Sequence, residues 1–216
     1  MIKVLLHVPL WDGKVATLSG ESPQAPPKVY QKARDSWFAL DTGGLEVDYL
    51  STVLNPFTPE EGRQWSSIAY QNINYKMEKA RQVALSQGYD YLFNVEQDII
   101  LPPDALKKLL AHNVNVVSGD FRHRPSTGVA FNTSCLVWDP PHGLNGGNVR
   151  SILKSDYANN ELVKVYLAGY GCLLLSRSAF ELLAFDQSDD GCWSWQVPRQ
   201  GFTLWCDPRV ACGHID

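Results

Sequence analysis

The chain has 216 residues, 44% of them hydrophobic and 19% charged, a length and composition that can bury one sizeable core and make a single domain the default. Its formal net charge of -4 and pI near 5.7 provide no basic excess to neutralise a phosphate backbone, which argues against nucleic acid as the main partner. Small anionic ligands stay open, because they need only a local site.

In chain order, residues 2–8 form a continuous apolar run that predicts a strand covered on both faces. Pro9 cuts this apolar start short and no small-residue cleavage site follows, so a signal peptide is not expected. Nowhere do roughly 18 apolar residues run together, the length needed to cross a bilayer, and a cytoplasmic protein without a transmembrane segment is expected. A polar, Pro-rich loop over 19–28, a helix over about 30–40 and a strand over 45–50 complete a β-α-β opening. Residues 66–87 read as a helix, with Ile68, Ile73, Met77, Ala80, Val83 and Ala84 near the i, i+3, i+4 spacing and Gly88 as its stop.

Residues 91–95 follow as a central buried strand, and Pro102-Pro103-Asp104 opens a helix over 105–111, proline being harmless in a first turn. A strand over 114–118 ends the regular alternation. Beyond it the sequence predicts a strand over 128–137, a Pro/Gly/Asn-rich loop over 140–148, strands over 162–167 and 171–175, a helix over 178–185 and a late strand over 202–205. This order gives an α/β half over about residues 1–120 and a mixed-sheet half over about 121–216, without a linker or an internal repeat. Cys135, Cys172, Cys192, Cys206 and Cys212 are odd in number and widely spaced, with no Cys-x-x-Cys pair. They read as buried free thiols, not as a disulfide framework or a structural zinc site.

The chemistry concentrates first in Glu96-Gln97-Asp98, which follows an apolar strand and precedes the Pro-Pro helix start. Both acids therefore fall at the carboxyl edge of the expected parallel sheet, where open α/β sheets bind ligands. In an extended segment, acid-x-acid points both carboxylates to one side. Two such oxygen ligands can hold a hard divalent cation that bridges two phosphates. The same two acids also suit a solvated turn before a helix.

The end of the chain supplies company: Asp189-Asp190-Gly191-Cys192-Trp193, then Arg199-Gln200-Gly201-Phe202, then Trp205-Cys206-Asp207-Pro208, closing on Gly213-His214. Here the chain resembles the glycosyltransferase family 2 type of GT-A enzymes, in which an acidic pair precedes an aromatic and an Arg, Gly, aromatic step before a strand that ends in Asp-Pro and Gly-His. Ala80-Arg81, the segment 116–119 and the segment 168–177 resemble the same family in the right order, so the likeness covers nearly the whole chain. It implies an α/β, Rossmann-like GT-A single domain with a mixed, mainly parallel central sheet flanked by helices. The first half would bind a nucleotide sugar, and the second would bind the acceptor and carry catalysis.

The resemblance further implies a metal-dependent glycosyltransferase that moves a sugar from a UDP- or GDP-sugar to an acceptor hydroxyl. Asp98 and His214, with Glu96, match the metal ligands, and mixed carboxylate and imidazole donors suit Mn2+ (or Mg2+) better than calcium. Asp190 matches the general base of inverting members, and Asp189 would orient a substrate hydroxyl. Pro9, Arg81, Glu96, Gln97, Asp98, Tyr170 and Gly171 match positions around the nucleotide sugar. Trp193 and Trp195 offer flat faces for a sugar ring, and residues 140–160 are of a composition suited to an acceptor loop.

Each assignment has a plain structural counterpart. Asp189 and Asp190 suit a helix start, Arg81 the surface of an amphipathic helix, His214 a surface or core position, and the tryptophans a core. A retaining enzyme would use the same metal site without needing Asp190 as a base. A sugar nucleotidyltransferase is disfavoured, because the loop after the first strand, Pro9-Leu10-Trp11-Asp12-Gly13-Lys14, holds a single glycine. A non-catalytic carbohydrate-binding protein is the remaining alternative.

Overall fold

The computed structural model describes residues 1–10, 31–53, 65–121, 134–138, 149–157, 162–186 and 190–215. The first strand, β1 (Lys3–Pro9), pairs in parallel with β2 (Glu46–Thr52) and with β3 (Tyr91–Val95). Next to β3 comes a strand from the far end of the chain, β10 (Cys172–Ser176), antiparallel both to β3 and to β5 (Val116–Phe121). A long strand, β11 (Leu204–His214), runs parallel to β5, and its last residues pair antiparallel with β4 (Ile99–Ile100). The eight-stranded sheet has the order β2-β1-β3-β10-β5-β11-β4, with β8 (Val163–Lys164) pairing β11. Because β10 is antiparallel to both its neighbours, β2, β1, β3, β5 and β11 share one direction, and the sheet is mixed but mainly parallel.

The buried apolar run of β1 explains its place inside the sheet, next to the edge strand β2: Val4, Leu6 and Val8 belong to one core cluster and Leu5 to the other, as period-two alternation requires of a strand covered on both faces. On one face lie α1 (Gln31–Phe38) and α3 (Ala105–Ala111), through Ala33, Trp37, Leu106 and Leu109. On the other lie α2 (Trp65–Ser86), α5 (Arg177–Leu182) and α6 (Asp190–Arg199), through Met77, Ala80, Ala84, Phe180, Trp193 and Val197. Helix α2 stops where the sequence predicts: Gly88 takes φ +75° and the Tyr89 amide donates to the Ala84 carbonyl at 3.0 Å, a left-handed cap that glycine adopts without strain.

A smaller sheet of β6 (Cys135–Trp138), β7 (Val149–Ser151) and β9 (Leu167–Ala168), in the order β7-β6-β9, flanks the main one. Several expectations change here. The strand expected over 128–137 is seen from Cys135 onward, its earlier part lying outside the described residues, and the one expected over 162–167 divides into β8 and β9. The loops expected over 19–28 and 140–148 also lie outside them, while β7 and the short α4 (Lys154–Tyr157) fall inside the segment 140–160.

The late strand is far longer than 202–205 because Pro208 sits in a bulge, where the ladder to β5 shifts between Asp207 and Ala211. A proline has no N–H to give to a ladder and is tolerated at such an irregularity. Of the five cysteines, none of which is in a disulfide, Cys192 is exposed on α6 and the other four are buried, which corrects the expectation that all are buried. No helix among the described residues is long and apolar enough to cross a membrane.

Candidate active site

Strand β3 delivers the acidic segment to the carboxyl edge of the sheet, but the chain does not remain extended there. The Glu96 amide donates to the Gly171 carbonyl at 3.1 Å, and the Ile99 amide returns to the Glu96 carbonyl at 3.0 Å. Gln97 and Asp98 thus form the middle of a tight turn between β3 and β4. The two acids are gathered by this turn, and the period-two argument from an extended segment does not apply.

The antiparallel pairing of β4 with β11 puts His214 opposite Ile99 and Gly213 opposite Ile100, and the Ile215 amide donates to the Asp98 carbonyl at 2.9 Å. His214 is thereby held beside Asp98, its Nε2 lying 3.5 Å from Oδ2. The imidazole stacks on Phe121, with ring centroids 5.8 Å apart and planes 9° apart. A Cβ on Gly171 would meet the Phe121 ring at 2.6 Å. That close approach is to the ring on which His214 rests.

Asp190 is the first residue of α6, so the helix-start reading holds, and its Oδ1 accepts from the Gly191 amide at 2.9 Å. Its charge nevertheless reaches Glu96, whose carboxyl is pushed up to about 8 by burial first, then by the negative charges of Asp98 and Asp190. Glu96 keeps part of its surface open as a residue, while its carboxyl group is enclosed by protein. Glu96, Asp98 and His214 are thus gathered at one edge, within reach of the Asp190 charge. The four are looser than a closed coordination shell, since the group of three donors within 4.8 Å of one another among the described residues is a different one.

The remaining expected residues distribute as follows. Pro9 ends β1 at the same edge, opposite Thr52. Tyr170 is 2% exposed, its ring set edge-on against Phe185 and Trp193 at 5.8 and 5.7 Å, so its ring belongs to the core. Trp193 is fully buried and stacked on Phe185, whereas Trp195 is 49% exposed beside Tyr166. Arg81 is not brought to the carboxylates. Its Nε and one terminal nitrogen donate to Glu78 at 2.7 and 2.8 Å, and the other donates to the Phe180 carbonyl at 2.8 Å. Helix α5 follows Ser176, which pairs with Tyr91 at the amino end of β3. Burial works to raise Glu78, but Arg81 and the Phe185 amide hold its carboxyl below the usual range. Asp189 lies outside the described residues.

Sequence reasoning missed a buried polar chain behind the site. The Asn94 amide nitrogen donates to the Tyr170 carbonyl at 2.6 Å, which turns Asn94 Oδ1 towards His7 Nδ1 at 2.7 Å. His7 therefore donates from Nδ1 and accepts the Thr52 hydroxyl at Nε2, also 2.7 Å away. Burial, opposed in part by Asn94 and aided by the charge of Lys76, lowers His7 to about 4. Lys76, 1% exposed on α2, donates to the Leu10 carbonyl just past β1. The signal for this chain was available in principle: His7 and Asn94 are polar residues within the apolar stretches of β1 and β3.

No protein-family model and no curated protein sequence matches the chain. Among solved structures it is similar to A197 from STIV, at 13% identity and a TM-score of 0.52 over 100% of this chain and 86% of that one. It is also similar to a candidate nucleotide-diphospho-sugar transferase from Desulfovibrio desulfuricans, at 10% identity and a TM-score of 0.51 over 100% and 83%. The inositol-1-phosphate CTP transferase of T. maritima is less similar, at 13% identity and a TM-score of 0.49 over 100% and 89%. At such identities the likeness shows the fold alone: this chain has the GT-A-like α/β architecture, with its mixed and mainly parallel sheet, that the D. desulfuricans protein also adopts.

Proposed function

We propose that the protein is a metal-dependent, inverting glycosyltransferase that uses a nucleotide-sugar donor. The observation that carries this reading is the meeting of Glu96, Asp98, Asp190 and His214 at the carboxyl edge of the sheet. The fold likeness to a protein titled as a nucleotide-diphospho-sugar transferase agrees with it. Like charges are crowded there at a cost to folding, an arrangement that a divalent cation would relieve and that marks functional sites more often than structural ones. The donor set fits the group: hard carboxylate oxygens with one imidazole suit Mn2+ or Mg2+.

In this reading Asp98 and His214, with Glu96 beside them, are the residues that would hold the cation, which when bound would supply Lewis-acid relief of charge on the leaving diphosphate. Pro9, Gln97 and the backbone of the Glu96–Asp98 turn border the nucleotide, and the backbone at Tyr170 and Gly171 borders the donor sugar. Asp190 accepts the proton of the acceptor hydroxyl as that oxygen bonds to the anomeric carbon. The bond from that carbon to the diphosphate breaks, and the nucleoside diphosphate leaves with the electron pair. Asp189 orients a substrate hydroxyl. Residues 1–120 serve mainly the donor and residues 121–216 mainly the acceptor, within one domain. Arg81 is assigned to the α2–α5 junction.

The test is release of nucleoside diphosphate from a panel of UDP-, GDP- and dTDP-sugars with and without Mn2+, using Asp98→Ala and His214→Ala as controls. Manganese-dependent turnover that both variants lose is expected. Absence of metal-dependent turnover with every donor, or undiminished turnover in both variants, would sink the proposal.

A further inference from the structure

The widely spaced cysteines give no metal-site signal in the sequence, yet the sheet topology brings two of them to a buried carboxylate. Ser118 and Asp120 lie two residues apart on β5 and therefore share a face. Cys206 pairs with Ser118 across the parallel ladder and belongs to the core cluster of that face, with Val116 and Leu204. Cys135, at the start of β6, enters the same cluster from the smaller sheet. Its neighbour Ser134 is tied to Phe121 in both directions: the Ser134 amide donates to the Phe121 carbonyl at 2.9 Å, and the Phe121 amide donates to Ser134 Oγ at 3.2 Å.

The outcome is a group of three donors, one each from Asp120, Cys135 and Cys206, within 4.8 Å of one another, all three residues buried. The other two buried cysteines, Cys172 and Cys212, belong to the opposite core cluster, so the face that carries the carboxylate holds two of the four buried thiols. Two thiolates about 2.3 Å from a tetrahedral zinc are about 3.7 Å apart, and a carboxylate oxygen lies slightly closer, so donors within 4.8 Å of one another need close by no more than about 1 Å. Sulfur donors select zinc over the hard cations suited to the carboxylate edge. The Gly119 carbonyl, 3.8 Å from the Cys135 sulfur, or a water can complete the shell.

We infer that Asp120, Cys135 and Cys206 form a zinc site, separate from the carboxylate edge, that fastens β6 of the small sheet to β5 and β11 of the main one. Zinc enters as the two thiols release their protons, leaving two thiolates and the carboxylate around the dication. The site has a structural consequence for the edge in front of it. Asp120 immediately precedes Phe121, the ring on which His214 stacks, so zinc fixes the support of that histidine. This inference stands or falls independently of the proposed glycosyl transfer.

The experiment uses the whole 216-residue chain, purified without chelators, reconstituted with zinc and dialysed against metal-free buffer. Metal content is then measured by mass spectrometry, and a parallel sample loaded with cobalt is examined for sulfur-to-cobalt charge-transfer absorption. About one tightly held zinc per chain is expected. The cobalt band should vanish in Cys206→Ser and weaken in the isosteric Asp120→Asn, and should persist in Cys192→Ser and His214→Ala. Circular dichroism identifies any variant that fails to fold, and Asp120→Asn keeps the test decisive if Cys206→Ser does. Zinc-free protein without a cobalt band would overturn the inference. So would a band that follows His214 in place of Cys206, or the loss of two reactive thiols to a disulfide in the freshly purified, denatured protein.

Discussion

The two edges of the sheet handle charge in opposite ways. At the amino edge three acidic groups each meet a donor: the Lys3 ammonium lies 3.0 Å from Glu46, the Lys3 amide donates to Asp90 at 2.8 Å, and the Tyr89 hydroxyl donates to Asp48 at 2.7 Å. Nearby, Arg81 pairs with Glu78 within α2 and donates to the Phe180 carbonyl of α5. At the carboxyl edge Glu96 instead faces the negative charges of Asp98 and Asp190. One edge is arranged for the folded state by itself, and the other, under the proposed function, would become favourable when a cation binds. Stability and function are thus separated along the strand direction, and substitutions at the two edges should behave differently.

The largest effect is expected at Asp190. Asp190→Asn should lower kcat by roughly two orders of magnitude or more, the contribution typical of a general base, while raising the melting temperature of the metal-free protein by a few degrees through relief of like-charge crowding. Steady-state kinetics and thermal unfolding check both halves, and a fall in both activity and stability would break the contrast between the edges. Gly171→Ala comes next, because its Cβ would meet the buried Phe121 ring. A cost of about 2 kcal/mol is expected for this overpacking, with weaker manganese binding as Phe121 shifts under His214. Urea unfolding and metal titration would read the two changes together.

The buried His7 gives a pH dependence. Its folded value of about 4 lies below its ordinary value of 6.5, so between these values the unfolded chain binds more protons and stability falls as pH falls. His7 should account for a loss of about 2 kcal/mol between pH 7 and pH 5, and the loss should disappear in His7→Gln. Urea unfolding at the two pH values would detect it, and equal losses in both proteins would remove His7 as the cause. The smallest effect belongs to the amino side: Arg81→Gln should cost about 1–2 kcal/mol of stability through Glu78 and the Phe180 carbonyl and leave nucleotide binding unchanged. Weakened nucleotide affinity in a folded Arg81→Gln protein would return Arg81 to the donor site.

What the sequence reveals depends on how local the cause is. Strand β1, helix α2 with its Gly88 stop, strand β3 and helix α3 follow from apolar runs, helical spacing and caps that lie within each segment. Strand β11 does not, because Pro208 reads as a terminator and only pairing with β5 shows it to be a bulge. Helix α6 is hidden by Gly191 and Pro198 inside it, although Asp190 does suit a helix start. The acids at 96 and 98 are legible as a pair, but the turn that aims them depends on Gly171 and on β11, both distant in sequence. The Asp120, Cys135 and Cys206 group is illegible for the same reason, since only strand order unites its members.

Isothermal titration of UDP and of GDP, each with and without Mn2+, tests the central claim most directly. One of them should bind only with Mn2+, Asp98→Ala should abolish this binding, and Arg81→Gln should retain it. Binding that ignores the metal or the loss of Asp98, or no binding of either nucleotide, would contradict a cation and diphosphate site at the carboxyl edge.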